Sequence, residues 1–114
     1  METIKSGREF QTVFSNGRRA NHPLVRMVFL RQDGFGRGRV AFVAAKRLGN
    51  AVYRNRCKRI LRESARQSGF PIPGWSVILF STRATHDAAP ADVARALAKL
   101  AKRCDLRVSE EVRD

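Results

Sequence analysis

Between Lys46 and Arg66 the chain carries eight cations, Lys46, Arg47, Arg54, Arg56, Lys58, Arg59, Arg62 and Arg66, against the single acid Glu63. On a helix of about 3.6 residues per turn, Arg54, Lys58 and Arg62 stand one above another, with Arg59 and Arg66 beside them and Arg56 further round. Like charges at that spacing destabilise an isolated helix by roughly 0.2–0.5 kcal/mol per pair, so local stability does not account for the ridge. A polyanionic partner does. A merely solvated face mixes signs, and here one sign dominates. A ridge that neutralised about six phosphates would make log K fall against log salt with a slope of about −5.

The groupings that hydrolysis by the polypeptide would need are missing from the sequence. Metal-dependent or acid–base cleavage calls for clustered carboxylates or paired histidines. The acids are scattered, the adjacent Glu110 and Glu111 fall near the end of the chain, and His22 and His86 stand alone in separate loops. Gly34-Phe35-Gly36 lacks the helix and Lys-Ser/Thr that follow in a phosphate-cradling loop. The expectation is a chain with no catalytic residue, metal site or cofactor of its own. Cys57 and Cys104 have no partner at metal-ligand spacing and are read as buried, reduced thiols on apolar helix faces.

The whole chain is strongly basic, with 23 Lys and Arg against 10 Asp and Glu in 114 residues and a net charge of +13. Hydrophobic residues at 43% are close to the globular average, which argues against a disordered basic tail. A folded domain that tolerates this self-repulsion implies a polyanion in the working state. Arginine dominates the cations, and its planar fork fits phosphate and stacks on bases, which favours nucleic acid. No run of 18 apolar residues is present, and residues 1–8 lack the apolar core of a secretory signal. The expectation is a cytoplasmic protein with no membrane partner.

The elements that must position the ridge follow from periodicity and punctuation. Ser6 and Glu9 have capping-box spacing, and Phe10, Val13 and Phe14 share one helical face until Asn16 and Gly17 stop it. Residues 24–30 and 39–45 are rich in β-branched and apolar residues and read as two antiparallel strands joined by a flexible Gly-rich loop; 17–21 has room for a short edge strand. Asn50 supplies an N-cap for a helix over Ala51–Gln67. Its core side carries Tyr53, Cys57, Ile60, Leu61, Ser64 and Ala65, while Val52 falls on the polar side. Trp75–Ser81 reads as a strand buried on both faces, and a last helix starts near Pro90 with Val93, Leu97, Leu100, Ala101 and Cys104 as its stripe. The fold class is α+β, a two-layer α/β sandwich of about four strands and three helices in a single domain over 1–114. Residues 105–114 lack a clear period and read as a frayed tail.

The stretch Lys46-Arg47-Leu48-Gly49-Asn50-Ala51-Val52-Tyr53-Arg54-Asn55-Arg56-Cys57-Lys58-Arg59-Ile60-Leu61-Arg62-Glu63 closely resembles the protein subunit of bacterial ribonuclease P. The likeness centres on Arg54, Asn55 and Arg56 and extends to Phe10, Phe14 and Gly17 near the start, so that it covers nearly the whole chain. The resemblance implies a role beside a catalytic RNA that uses Mg2+, in a 1:1 complex, for hydrolysis of precursor tRNA. It implies RNA contacts through Lys46, Arg47, Asn50, Arg54, Asn55, Arg56, Lys58, Arg59, Arg62 and Arg66. It also implies that the single-stranded 5′ leader lies in a cleft between the sheet and the first helix, lined by Phe10 and Phe14 with Val28 and Phe42 on its floor. The fold it implies is a small sandwich with a left-handed βαβ crossover, like a domain of a ribosomal protein. Val28 stands where many members have an aromatic, and Cys57 replaces a usual aliphatic.

Several residues admit a plainer role beside the functional one. Phe10 and Phe14 also suit the core of an amphipathic helix, and different ring faces can serve both ends. Asn50 is an N-cap and a candidate RNA contact. The loop at 34–39 resembles an RG-type RNA contact, or it is only a mobile hairpin. For the chain as a whole, the alternative is a structural RNA-binding protein of ribosomal type with no catalytic partner. A double-stranded DNA reader would need a base-reading helix and usually a dimer, and neither is in the sequence.

Overall fold

The computed structural model describes residues 1–32 and 36–106. Helix α1 spans Gly7–Asn16, and Ser6 caps it by accepting from the backbone N–H of Arg8 and Glu9 at 3.1 and 3.3 Å. Glu9, which a capping box would turn back toward Ser6, reaches outward instead. Its carboxylate accepts from Arg39 Nη1 at 2.7 Å and from the Ser76 hydroxyl at 3.1 Å, which ties the start of α1 to two strands.

The strands are β1 (Arg18–His22), β2 (Val25–Arg31), β3 (Arg39–Val43) and β4 (Trp75–Ser81); helix α2 spans Ala51–Gln67 and α3 spans Pro90–Arg103. The sheet order is β1-β2-β4-β3, with β1–β2 and β2–β4 antiparallel and β3–β4 parallel. This corrects the expected pairing of 24–30 with 39–45, because β4 lies between β2 and β3. The reason is burial. Six of the seven residues of β4 are buried and the other is half-buried, so it takes a central place with a neighbour on each side. The α2 crossover then returns the chain parallel to β3. The real hairpin is β1–β2. The outer edge of β3 is covered by the N-terminal segment, through Ile4 N–H to Val40 O and Val40 N–H to Glu2 O at 3.0 and 3.2 Å.

Strand alternation divides the sheet into two unlike faces. On one, Val25, Met27, Phe29, Val40, Val77 and Leu79 pack against Ile60, Leu61 and Ala65 of α2 and Val93, Leu97 and Leu100 of α3. The Ser64 hydroxyl links the two helices by donating to Ile60 O and Pro90 O. On the other face Val28 and Ile78 meet Val13 of α1, flanked by Phe10, Leu30, Ala41, Val43 and Phe80. Burying Val13 completely contributes roughly 1.5–3 kcal/mol. α1 has only 10 residues and covers part of this second face.

Cys57 is buried as expected, whereas Cys104, just past the end of α3, is half-buried. Burial pushes the Cys57 thiol up from its ordinary value, partly offset by Ser81 and Arg56. Of the segment 105–114 expected to fray, Leu106 packs into the main core; residues 107–114 lie outside the described residues. So does the centre of the Gly-rich loop, 33–35, beyond which Arg37 pairs with Glu2 at 3.6 Å.

Candidate nucleic-acid interface

α2 builds the ridge from its own first turn. Asn50 Oδ1 accepts from Tyr53 N–H at 2.9 Å, the N-cap role read from sequence. A Cβ at Gly49 would lie 2.7 Å from the Tyr53 ring, so glycine lets that ring close over the turn. With Cys57, Ile60, Leu61, Ser64 and Ala65 facing inward, the cations are left on the remaining arc. Arg54 donates from Nε to Gly49 O at 3.1 Å, and the Arg62 guanidinium carbon lies 5.1 Å from the centroid of the Phe42 ring. Arg54, Lys58 and Arg62 therefore line the flank beside β3. Arg56 lies on the other flank, where its Nε donates to His86 O at 2.9 Å. Asn55, Arg59 and Arg66 are exposed between the two. Arg66 is ion-paired with Glu63, which offsets its charge.

Tyr53 departs from the core role expected of it. It is half-buried and stacks on His86, with ring centroids 4.0 Å apart and planes 5° from parallel. His86 Nδ1 lies 2.8 Å from Asp87 Oδ1. The loop before α3 thus anchors both the first turn of α2 and Arg56, a link that no sequence pattern reveals.

A second basic feature lies on the α1 face of the sheet, where α1 ends. A cleft of about 340 Å³ is lined by Phe14, Arg19, Arg26, Val28, Arg47 and Phe80, among others. Register sets Arg19 opposite Val28, and Arg26 opposite Phe80. Phe14 is 36% exposed, with Phe10 stacked on one side at 6.3 Å and Phe80 tilted against it at 6.1 Å. The floor is apolar and aromatic, and cations stand on both rims: Arg19 and Arg26 on the β1–β2 side, Arg47 beyond Val43 and Ala45. Such a groove suits a single-stranded nucleic acid, with planar surfaces for bases and guanidinium groups for phosphates. Among the described residues no group of His, Cys, Asp and Glu could hold a metal ion, and no helix is long and apolar enough to cross a membrane.

The description of the Ribonuclease P family matches residues 1–105 of the chain. The chain belongs to the ribonuclease P protein family. It is 37% identical to the ribonuclease P protein component of a Nocardioides species, over 96% of this chain and 92% of that one. It is 34% identical to that of Herpetosiphon aurantiacus, over 92% and 85%. The ribonuclease P protein of Staphylococcus aureus shares the fold at a TM-score of 0.76 and 22% identity, covering 93% of this chain and 97% of the other. That of Thermotoga maritima does so at 0.74 and 23%, covering 90% and 97%. Membership ties the chain to ribonuclease P, to tRNA processing and to an RNA partner within that complex.

Against the interface implied by resemblance to ribonuclease P proteins, the structure makes one correction. Phe42 does not share the cleft with Phe14 and Val28. It pairs with Leu79 and, by strand alternation, points to the α2–α3 face beneath Arg62; Ala41 and Val43 are the β3 residues on the α1 side. Val28 does line the cleft but is only 3% exposed, and Phe10 is half-buried against the Val13 cluster. Arg19, Arg26 and Phe80 were absent from the residues singled out by motif. A signal for Arg26 was available: an arginine on the strand face shared with Val28 and Leu30 marks where the cover of α1 stops.

Proposed function

We propose that this chain is the non-catalytic subunit of ribonuclease P, which removes the 5′ leader of precursor tRNA. The α2 ridge binds the catalytic RNA, and the cleft beside α1 holds the single-stranded leader. The RNA, with its Mg2+ ions, supplies the hydrolytic chemistry; the polypeptide contributes charge and position. The contiguity of the two basic features carries this reading. Lys46–Leu48 forms a 3-10 turn that places Arg47 on the rim of the cleft and leads within three residues to the first residue of α2. One RNA bound along the ridge therefore has its substrate's leader within reach of the cleft.

In this arrangement Arg54 and Arg56 are held through Nε by backbone carbonyls, which orients both guanidinium groups without using a carboxylate. Groups oriented before binding lose less side-chain freedom on meeting phosphate. Leader binding in turn holds the scissile phosphate at the RNA's reaction centre for longer. The test mixes the full chain with its cognate catalytic RNA at low Mg2+ and follows leader release from precursor tRNA. Rescue of cleavage is expected; tight RNA binding with no rescue would instead support a structural RNA-binding protein of ribosomal type.

A further inference from the structure

One of the guanidinium groups in the cleft packs against an aromatic ring that lines it. Arg19, exposed on β1, lies with its guanidinium carbon 4.8 Å from the Phe14 ring centroid, and its Nη2 donates to the Phe14 carbonyl at 2.9 Å. Two contacts to one residue fix the guanidinium over the ring. Phe10 and Phe80 already pack against that ring, so a base approaching on the Arg19 side meets the guanidinium before the phenyl group. Val28, the residue opposite Arg19 on β2, is aliphatic and offers no π surface. The residues lining the cleft include no carboxylate to neutralise Arg19 or Arg26.

We infer that Arg19, seated on Phe14, is a stacking platform for one base of a single-stranded nucleic acid, and that Arg26 takes an adjoining phosphate. This rests on the reading of the cleft as the leader site. A guanidinium is planar, delocalised and weakly hydrated, so it stacks on an aromatic ring with one face and on a base with the other. An ammonium has no such plane. Arg26 is the diagonal cross-strand neighbour of Arg19, about 7–8 Å away, within reach of the backbone of the same nucleotide segment.

The test uses holoenzyme assembled from the cognate catalytic RNA and wild-type, Arg19→Lys, Arg19→Ala or Arg26→Ala chain. The readout is the affinity for precursor tRNA with a leader of about five nucleotides divided by that for mature tRNA. A stacked base is worth about fivefold or more, so Arg19→Lys and Arg19→Ala should both lower the ratio by at least about fivefold. An abasic scan of the leader should find one position that costs the wild type this factor and costs Arg19→Lys nothing. Arg26→Ala should lower the ratio whether or not the base is present. A full ratio for Arg19→Lys would overturn the platform, since charge alone would then suffice. So would abasic losses equal in wild type and Arg19→Lys, the result expected if Arg19 only clamps the end of α1. A wild-type holoenzyme with no leader-dependent gain would overturn the cleft reading and this inference together, and is distinct from a gain that survives Arg19→Lys.

Discussion

Neutralising Arg59 and Arg62 together tests the ridge with the least disturbance to the fold. Both are exposed, whereas Arg54 and Arg56 each satisfy a backbone carbonyl. Of the six cations of α2, Arg66 is paired with Glu63, which leaves Arg54, Arg56, Lys58, Arg59 and Arg62 as five full charges for RNA. At roughly 0.7–0.9 per phosphate, five contacts give a slope of log K against log salt of about −3.5 to −4.5. That is slightly shallower than six free charges would give. Between about 50 and 200 mM salt the wild type should then lose roughly 10²–10³ in affinity, and Arg59→Gln/Arg62→Gln, with three contacts, only about 20–40-fold. The two binding curves should converge at high salt. The assay is fluorescence anisotropy of labelled catalytic RNA titrated with the chain across a salt series, with thermal melts to show an intact fold. A double variant whose slope matches the wild type would refute the ridge as the RNA contact. Arg54→Ala or Arg56→Ala should each lower the slope by about one. Each should also cost about 1 kcal/mol of stability for the carbonyl it deserts.

Other outcomes follow from the same geometry. Phe14→Ala should raise the leader-dependent KM while leaving mature tRNA binding unchanged. Phe42→Ala, on the opposite face, should lower the thermal midpoint by the equivalent of about 2 kcal/mol and leave leader dependence intact; equal effects on leader dependence would contradict the assigned faces. Gly17→Ala should destabilise by about 1–3 kcal/mol in denaturant titrations, because its Cβ would sit 2.6 Å from Val13 O and 2.9 Å from Phe29 O. Under native conditions a thiol reagent should modify Cys104 well before Cys57. The Cys57 thiol is fully buried and held protonated by that burial, so it should react only on unfolding, and rapid modification of both would refute its placement.

What local patterning could announce, it announced. The bounds of α2 follow from an asparagine cap, the absence of glycine and proline over 17 residues, and an apolar stripe at helical spacing. The stacking of Arg54, Lys58 and Arg62 follows from the same period. Ser6 and Gly17 likewise mark both ends of α1, and the apolar run Val77-Ile78-Leu79-Phe80 within Trp75–Ser81, which leaves no alternating polar face, shows a strand covered on two sides. These features depend on neighbours within one or two turns, or on composition alone.

The sequence by itself therefore determined the helices, the central character of β4, the one-sided charge of α2 and the family. Only the tertiary structure decided which strands pair and which face each strand residue occupies. Strand order is set by where β4 can bury both of its faces, a contest among distant segments that no short window registers. That choice moved Phe42 away from the cleft, brought Arg19 and Arg26 into it, and turned Glu9 from a capping residue into a tie between α1 and the sheet. The stacking of Tyr53 on His86 and the hold of His86 O on Arg56 have the same origin, a contact between residues some 30 positions apart that only the packing of α3 beside α2 brings together.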